Sequence, residues 1–264
     1  MKSSKGNLKR LFGDEVTKEP VIKPEERPIA TSGAKPRIEW ANIPAGTFTM
    51  GSPETEPFRK ADETLHQVTL SAFRMSCYEI TFEQYDMFCE ATGREKPKDE
   101  GWGRKKQPVI NVSWDDATAF AGWVGCRLPT EAEWEYTCRA GTTTPFNTGD
   151  NLTTAQANYN GNFPYNDSPK GEFRARTVPV GSFAPNAWGL YDMHGNIWEW
   201  CNDRYGDYLQ PAQTNPPGAE QGTFRVFRGG GWRNYAQLCR SAFRYKYFPD
   251  YRHFNIGFRV VSSD

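Results

Sequence analysis

Six cysteines stand at 77, 89, 126, 138, 201 and 239, and three histidines at 66, 194 and 253. No cysteines form a C-x-x-C pair and no histidine lies near one at ligand spacing, so the pattern argues against zinc. An iron site of the two-histidine, one-carboxylate kind would need the dispersed histidines to converge by folding. The residues that do cluster are of another type. From Arg233 to Phe254 the rings Tyr235, Phe243, Tyr245, Tyr247, Phe248, Tyr251, His253 and Phe254 are interleaved with Arg, Lys, Asn and Asp around the loop markers Pro249-Asp250. A buried strand would alternate aliphatics, whereas this stretch alternates aromatic with basic residues, so many of its rings are expected to face solvent. Phe243 or Phe248 taken singly could equally be core. Tyr with Arg and Asn is the composition of an adaptable paratope, because a Tyr ring offers large contact area for two torsions and adds a hydroxyl.

Such a face needs a scaffold, and the composition says of what kind. Leu, Ile and Val number 9, 8 and 11, against 38 aromatics. Each aromatic can bury on the order of 150–250 Å², enough for one aromatic core, with 24 Gly and 19 Pro supplying turns. Lys plus Arg equal Asp plus Glu at 32 each, so no global field points to nucleic acid or an anionic membrane. No window approaches the roughly 18 apolar residues of a membrane span, and the start lacks an apolar signal region. Residues 1–37 carry Pro20, Pro24, Pro28 and Pro36 and the single aromatic Phe12, which reads as a flexible tail ahead of one domain over 38–264. That domain opens with Ile38-Glu39-Trp40 and a short strand ending at Gly51. Capping signals at Thr81, Ser113 and Thr130 predict three helices, stopped by Gly93, Gly125 and Gly141. Beyond Gly141 the segments 178–180, 197–200, 225–227 and 256–261 read as short strands joined by long loops. The class is α+β with an irregular second half.

Arg127-Leu128-Pro129-Thr130-Glu131-Ala132-Glu133-Trp134-Glu135-Tyr136 resembles the formylglycine-generating enzyme, or sulfatase-modifying factor, family. The likeness continues through Asn186 to Trp200 (NAWGLYDMHGNIWEW), Arg228-Gly229-Gly230 and Ile256-Gly257-Phe258-Arg259, and so spans nearly all of 38–264. It implies a C-type lectin-like fold with two small sheets, few helices and much ordered loop. Family membership does not fix function, since the family hosts oxidases, iron enzymes and non-catalytic binders.

The oxidase branch resembled here works with copper and two cysteines just after the Gly-Gly, because soft thiolates hold Cu(I) and exchange with a substrate thiol. In this chain those positions fall on Asn234 and near Leu238. Neither copper nor iron is therefore expected, and the chain is expected not to be an enzyme. The resemblance pairs Cys239 with Cys138 in one family bridge. A second bridge would fall on Ala121 and Val260, so both its members are absent.

The skeleton of the last segment keeps the family pattern, while Arg233, Asn234, Tyr235, Leu238, Phe243, Tyr245, Tyr247, Tyr251, His253 and Phe254 stand where relatives commonly carry asparagine. All ten are reachable from an asparagine codon by changes at adenines. That contrast resembles the variable proteins of diversity-generating retroelements, a Treponema variable protein among them, and implies that the ten form one exposed recognition face. The resemblance also implies a structural calcium held by Asp192, Gly195, Ile197 and Glu199, two side chains and two carbonyls of hard oxygen. A further site is implied around Asn158, Tyr159 and Glu172. The expectation is thus a non-catalytic, receptor- or adhesin-like protein that binds a macromolecular ligand, a protein rather than nucleic acid. It would be surface-displayed or phage-associated if a signal or anchor has been removed, and cytoplasmic otherwise. The alternatives are a formylglycine-generating-type oxidase or non-heme iron enzyme, and a structural adaptor whose aromatic face is covered by another subunit.

Overall fold

The computed structural model describes residues 34–209 and 212–263; most of the predicted tail, 1–33, lies outside them. The three predicted helices are α1 (Phe82–Thr92), α2 (Trp114–Val124) and α3 (Glu131–Arg139). Each starts with a reciprocal capping box, in which the Thr81, Ser113 or Thr130 hydroxyl accepts the N3 amide and the N3 side chain accepts the cap's own N–H. Each cap contributes about 1 kcal/mol, which matters for helices of three turns or fewer. Gly93 and Gly125 close the first two in the left-handed region as expected, but α3 ends one residue early, with Ala140 at φ 44°.

The strands are β1 (Trp40–Ile43), β2 (Gly46–Met50), β3 (His66–Leu70), β4 (Phe73–Ser76), β5 (Trp198–Arg204), β6 (Gln213–Thr214), β7 (Arg225–Arg228), β8 (Arg244–Tyr247), β9 (Ile256–Gly257) and β10 (Val261–Ser262). Among the described residues they form three sheets rather than two, in the orders β1-β4-β10, β2-β3-β6 and β8-β7-β5-β9. The expected strand at 178–180 is loop. Its Val178 N–H donates to the Asn196 side chain and its Val180 N–H to the Lys106 carbonyl, so no ladder can form there.

The core is aromatic. Phe82, Tyr85 and Phe88 of α1 and Phe120 and Trp123 of α2 pack toward Trp198, Trp200, Phe227 and Phe258. Tyr85 and Phe120 stack at 5.6 Å, Phe120 meets Phe258 at 5.4 Å, and Phe227 meets both tryptophans of β5 at 5.0 and 5.2 Å. A second cluster gathers on α3, where Trp134 and Tyr136 pack with Met50, Val68, Leu70 and Met75.

Buried arginines tie these layers together. Arg228 bonds Glu131 and Glu135, Arg244 holds both oxygens of Glu131, Arg240 bridges Glu56 and Glu63, and Arg259 holds both oxygens of Glu199. Burying an ion costs several kcal/mol unless it is fully paired. All four guanidiniums are paired with carboxylates and are at most 2 % exposed. Gly230 explains part of the Arg-Gly-Gly motif: its φ of 74° suits glycine, and a Cβ there would press into the Cys239 sulfur.

Candidate functional site: an aromatic face on the C-terminal segment

β8 and the loop after it carry a nearly continuous row of rings. Phe243 and Tyr245 are parallel at 6.5 Å; farther along, Tyr247 meets Tyr251 at 3.7 Å, Tyr251 stacks on His253 at 5.7 Å, and His253 meets Phe254 at 4.0 Å. Phe254 then packs on Trp232 at 5.7 Å, with Trp102 edge-on to both. At this end lies a hollow of about 300 Å³ walled by Asn160, Phe163, Phe173, Trp232, Arg233, Tyr235 and Phe254. Phe163 stacks on Tyr235 at 3.9 Å, and the Arg233 guanidinium lies 5.1 Å from the centre of Phe254. At the other end a hollow of about 210 Å³ lies among Lys60, Tyr205, Phe224, Arg244, Tyr245, Lys246 and Tyr247.

The structure brings the ten expected residues into one region but corrects their exposure. Asn234, Leu238 and Phe243 are buried, and Arg233, Tyr235, Tyr245, Tyr247, Tyr251, His253 and Phe254 are half-buried. Asn234 faces inward because its Oδ1 accepts the Gly231 N–H at 3.0 Å, closing the turn. Leu238 sits on a single 3₁₀ turn (Ala236–Cys239) and belongs to the aromatic core, as does Phe243, which tilts against Trp198. Tyr247, Tyr251, His253, Phe254 and Arg233 lose surface to one another, whereas Tyr245 packs against Phe227 and Phe243 and Tyr235 against Phe163. Sequence reasoning missed Lys60, Trp102, Phe163 and Phe173, which come from loops with no periodicity to mark them.

The expected calcium turn is tight: Asp192, Gly195 and Asn196 all have φ between 58° and 88°, and a Cβ on Gly195 would collide with the Asn158 carbonyl. Its Glu199 is already committed. Oε2 accepts from Trp134 Nε1 at 2.8 Å and Arg259 Nε at 2.7 Å, and Oε1 accepts Arg259 Nη2 at 2.8 Å. Asp192 accepts the Gly181 N–H through Oδ2, while its Oδ1 is buried without a partner, as is Glu79 Oε1 nearby. Burial pushes the Asp192 carboxyl up to about 6 and raises Glu79 well above the usual range, the latter also through Asp192 itself. Of the four expected ligands, Glu199 is thus held by Arg259, while Asp192 keeps one buried oxygen without a partner. At the other expected site the Asn158 Nδ2 donates to the Arg176 carbonyl and to Asn196, its Oδ1 is buried without a partner, and Glu172 pairs with Arg174 at 2.9 Å.

With this geometry in place, comparison with known proteins is informative. The family described as Sulfatase-modifying factor enzyme 1-like domain matches residues 28–264. The chain belongs to that family. The mouse formylglycine-generating enzyme is 31 % identical over 293 aligned positions, covering 89 % of this chain and 78 % of the mouse protein. The solved structure of PvdO from Pseudomonas aeruginosa superposes with a TM-score of 0.75 at 32 % identity, covering 85 % of this chain and 94 % of that one. Treponema denticola variable protein 1 superposes at 0.67 with 24 % identity, covering 85 % and 95 %, a likeness of fold. The α+β fold with small sheets, few helices and much loop is thus that of the family.

For this sulfatase-modifying factor relative, the expectation that it is not an enzyme is corrected. Curated relatives at about a third identity, from mouse and from Streptomyces coelicolor, are named as formylglycine-generating enzymes. The missing cysteine pair at Asn234 and Leu238 speaks about one pair of side chains and not about catalysis as such. Cys138 and Cys239, which the family resemblance pairs in a bridge, are both free and are joined here through His194. Cys138 Sγ lies 3.8 Å from both ring nitrogens of His194, whose Nδ1 donates to the Cys239 carbonyl at 2.7 Å. Both thiols are free and buried; burial pushes Cys138 up to about 12 and Cys239 higher. Among the described residues no helix is long and apolar enough to cross a membrane.

Proposed function

We propose that the C-terminal aromatic face of this family member is a recognition surface for a protein ligand. The carrying observation is the row of half-buried rings that runs from Tyr245 to Phe254 and ends in the hollow over Trp232. A half-buried ring is held in orientation by its neighbours and still offers one face or edge, so little ordering entropy is lost when a ligand covers it. The adenine-reachable character of the seven half-buried residues supports a face whose chemistry is exchanged while the scaffold of buried Arg–carboxylate pairs stays fixed.

Selection of a displayed random peptide library on the folded chain tests this. Enriched peptides are expected to lose binding to a Tyr235→Ala, Phe254→Ala double variant that unfolds at the parent's temperature. Equal binding to parent and variant overturns the reading. A second reading, favoured by the name of the mouse relative, is that a segment bound here is also acted on. Mass spectrometry of captured peptides after incubation, against a control without protein, reads that directly.

A further inference from the structure

The cations of the aromatic face stand apart from those of the core. Lys60 Nζ lies 4.3 Å from the centre of the Phe243 ring and 5.0 Å from that of Tyr245. Lys246 Nζ lies 3.9 Å from Tyr205 and 5.3 Å from Phe224. Both ammoniums line the hollow of about 210 Å³, and neither forms an ion pair with a described carboxylate. Of the two acids whose charge acts on Lys60, Asp62 accepts the Tyr205 hydroxyl through one oxygen, and Glu63 takes Arg240 and Ser52. The third wall cation, Arg244, is held by Glu131 and the Gly206 carbonyl. At the far end of the row Arg233 also lacks an ion pair among the described residues and rests on Phe254. No Asp or Glu lines either hollow, although the whole chain has as many acids as bases.

We infer that the partner recognised by this face is an acidic protein segment, with carboxylates entering the Lys60–Lys246 hollow and reaching Arg233, and with apolar or aromatic groups lying along the rings between. This rests on the recognition reading above and names its ligand chemistry. Cations held over ring faces keep part of their attraction when desolvated, but a carboxylate supplies the acceptor that the rings cannot. Lys60 shows the need: burial, more than any neighbouring charge, pulls its ammonium below the usual lysine range.

The test uses the full chain and a fluorescent peptide of alternating glutamate pairs and tyrosines, with its lysine and glutamine counterparts and an oligothymidine of equal length. The glutamate peptide is expected to bind at least about tenfold more tightly than the lysine peptide and to weaken as salt is raised. Lys60→Gln with Lys246→Gln should weaken it about tenfold, and Lys246→Glu alone, at an exposed position and with the parent's unfolding temperature as the check on folding, should act in the same direction. Equal binding of the lysine peptide, indifference to Lys246→Glu, no binding of the glutamate peptide at all, or preferential capture of oligothymidine would each overturn the inference. If library-selected peptides depend on Tyr235 and Phe254 but not on Lys60 or Lys246, the recognition surface stands and only its acidic partner falls.

Discussion

Arg228, Arg244 and Lys246 lie on neighbouring strands within one sheet, yet two of them are sealed and one is not. The arginines reach inward to Glu131 and Glu135 on α3 and are nearly or fully buried, with each contact made by a guanidinium fork. Lys246 reaches outward over Tyr205 and has no carboxylate partner among the described residues. The comparison teaches how one segment can hold a rigid scaffold and a changeable surface together. Fixed charges are matched inside, where a mismatch costs several kcal/mol, and unmatched charges sit over rings at the edge, where exchange costs little.

Predictions follow that contrast from strong to weak. Arg228→Ala should destabilise the protein by about 3–5 kcal/mol in urea unfolding, because Glu131 and Glu135 would each lose a buried partner. Trp198→Ala should cost about as much, about 3–5 kcal/mol, as a fully buried indole in the aromatic core. Acid should come next. His194 is 5 % exposed, donates to the Cys239 carbonyl and accepts the Asn147 N–H, and burial pushes its imidazole down to about 4 from 6.5. Its folded value is depressed, so its contribution is full above pH 6.5 and is lost as pH falls toward 4, by about 3 kcal/mol. The loss is read against His194→Gln, which cannot be protonated, so that the opposite contribution of Asp192 cancels.

Tyr247→Ala and Tyr251→Ala should each cost about 1 kcal/mol, somewhat more than a free surface site, because the two rings stack on each other. If Tyr251→Ala costs as much as Trp198→Ala, the row is core and the contrast collapses. The smallest effect is expected from calcium: with Arg259 in possession of Glu199, adding Ca²⁺ to chelator-treated protein should leave Tm within about a degree. A shift of several degrees would show that the cation displaces the guanidinium.

What could be read in advance was what is local. The three capping boxes span four residues each and needed no tertiary information, and the abundance of aromatics did describe the core. The exposure of the face was overestimated because alternation of rings with basic residues says that a strand is not aliphatic, not that its rings avoid each other. Asn234 looked like a surface amide and is the clasp of a turn. The arginine networks were invisible for a simpler reason: Arg240 and Glu63 are 177 positions apart, and nothing in either neighbourhood names the other. Lys60 was hidden likewise, lying in a polar loop far in sequence from the rings it serves.

Those same separations bear on how the chain reaches its native state. Arg240 joins Glu63 across 177 residues, Arg259 joins Glu199 across 60, and Arg244 joins Glu131 across 113. While the chain is being synthesised, Glu56, Glu63 and Glu131 exist before the cations that will bury them, so these carboxylates wait solvated until the last strands are made, whereas Glu135 meets Arg139 within its own helix. Closing such long loops precedes any reward from the contacts. Refolding from urea should therefore be slow and cooperative, and its rate should fall little when a ring of the face is exchanged. A segment that mutates freely at its rim would then leave the timing of folding to the arginines beside it.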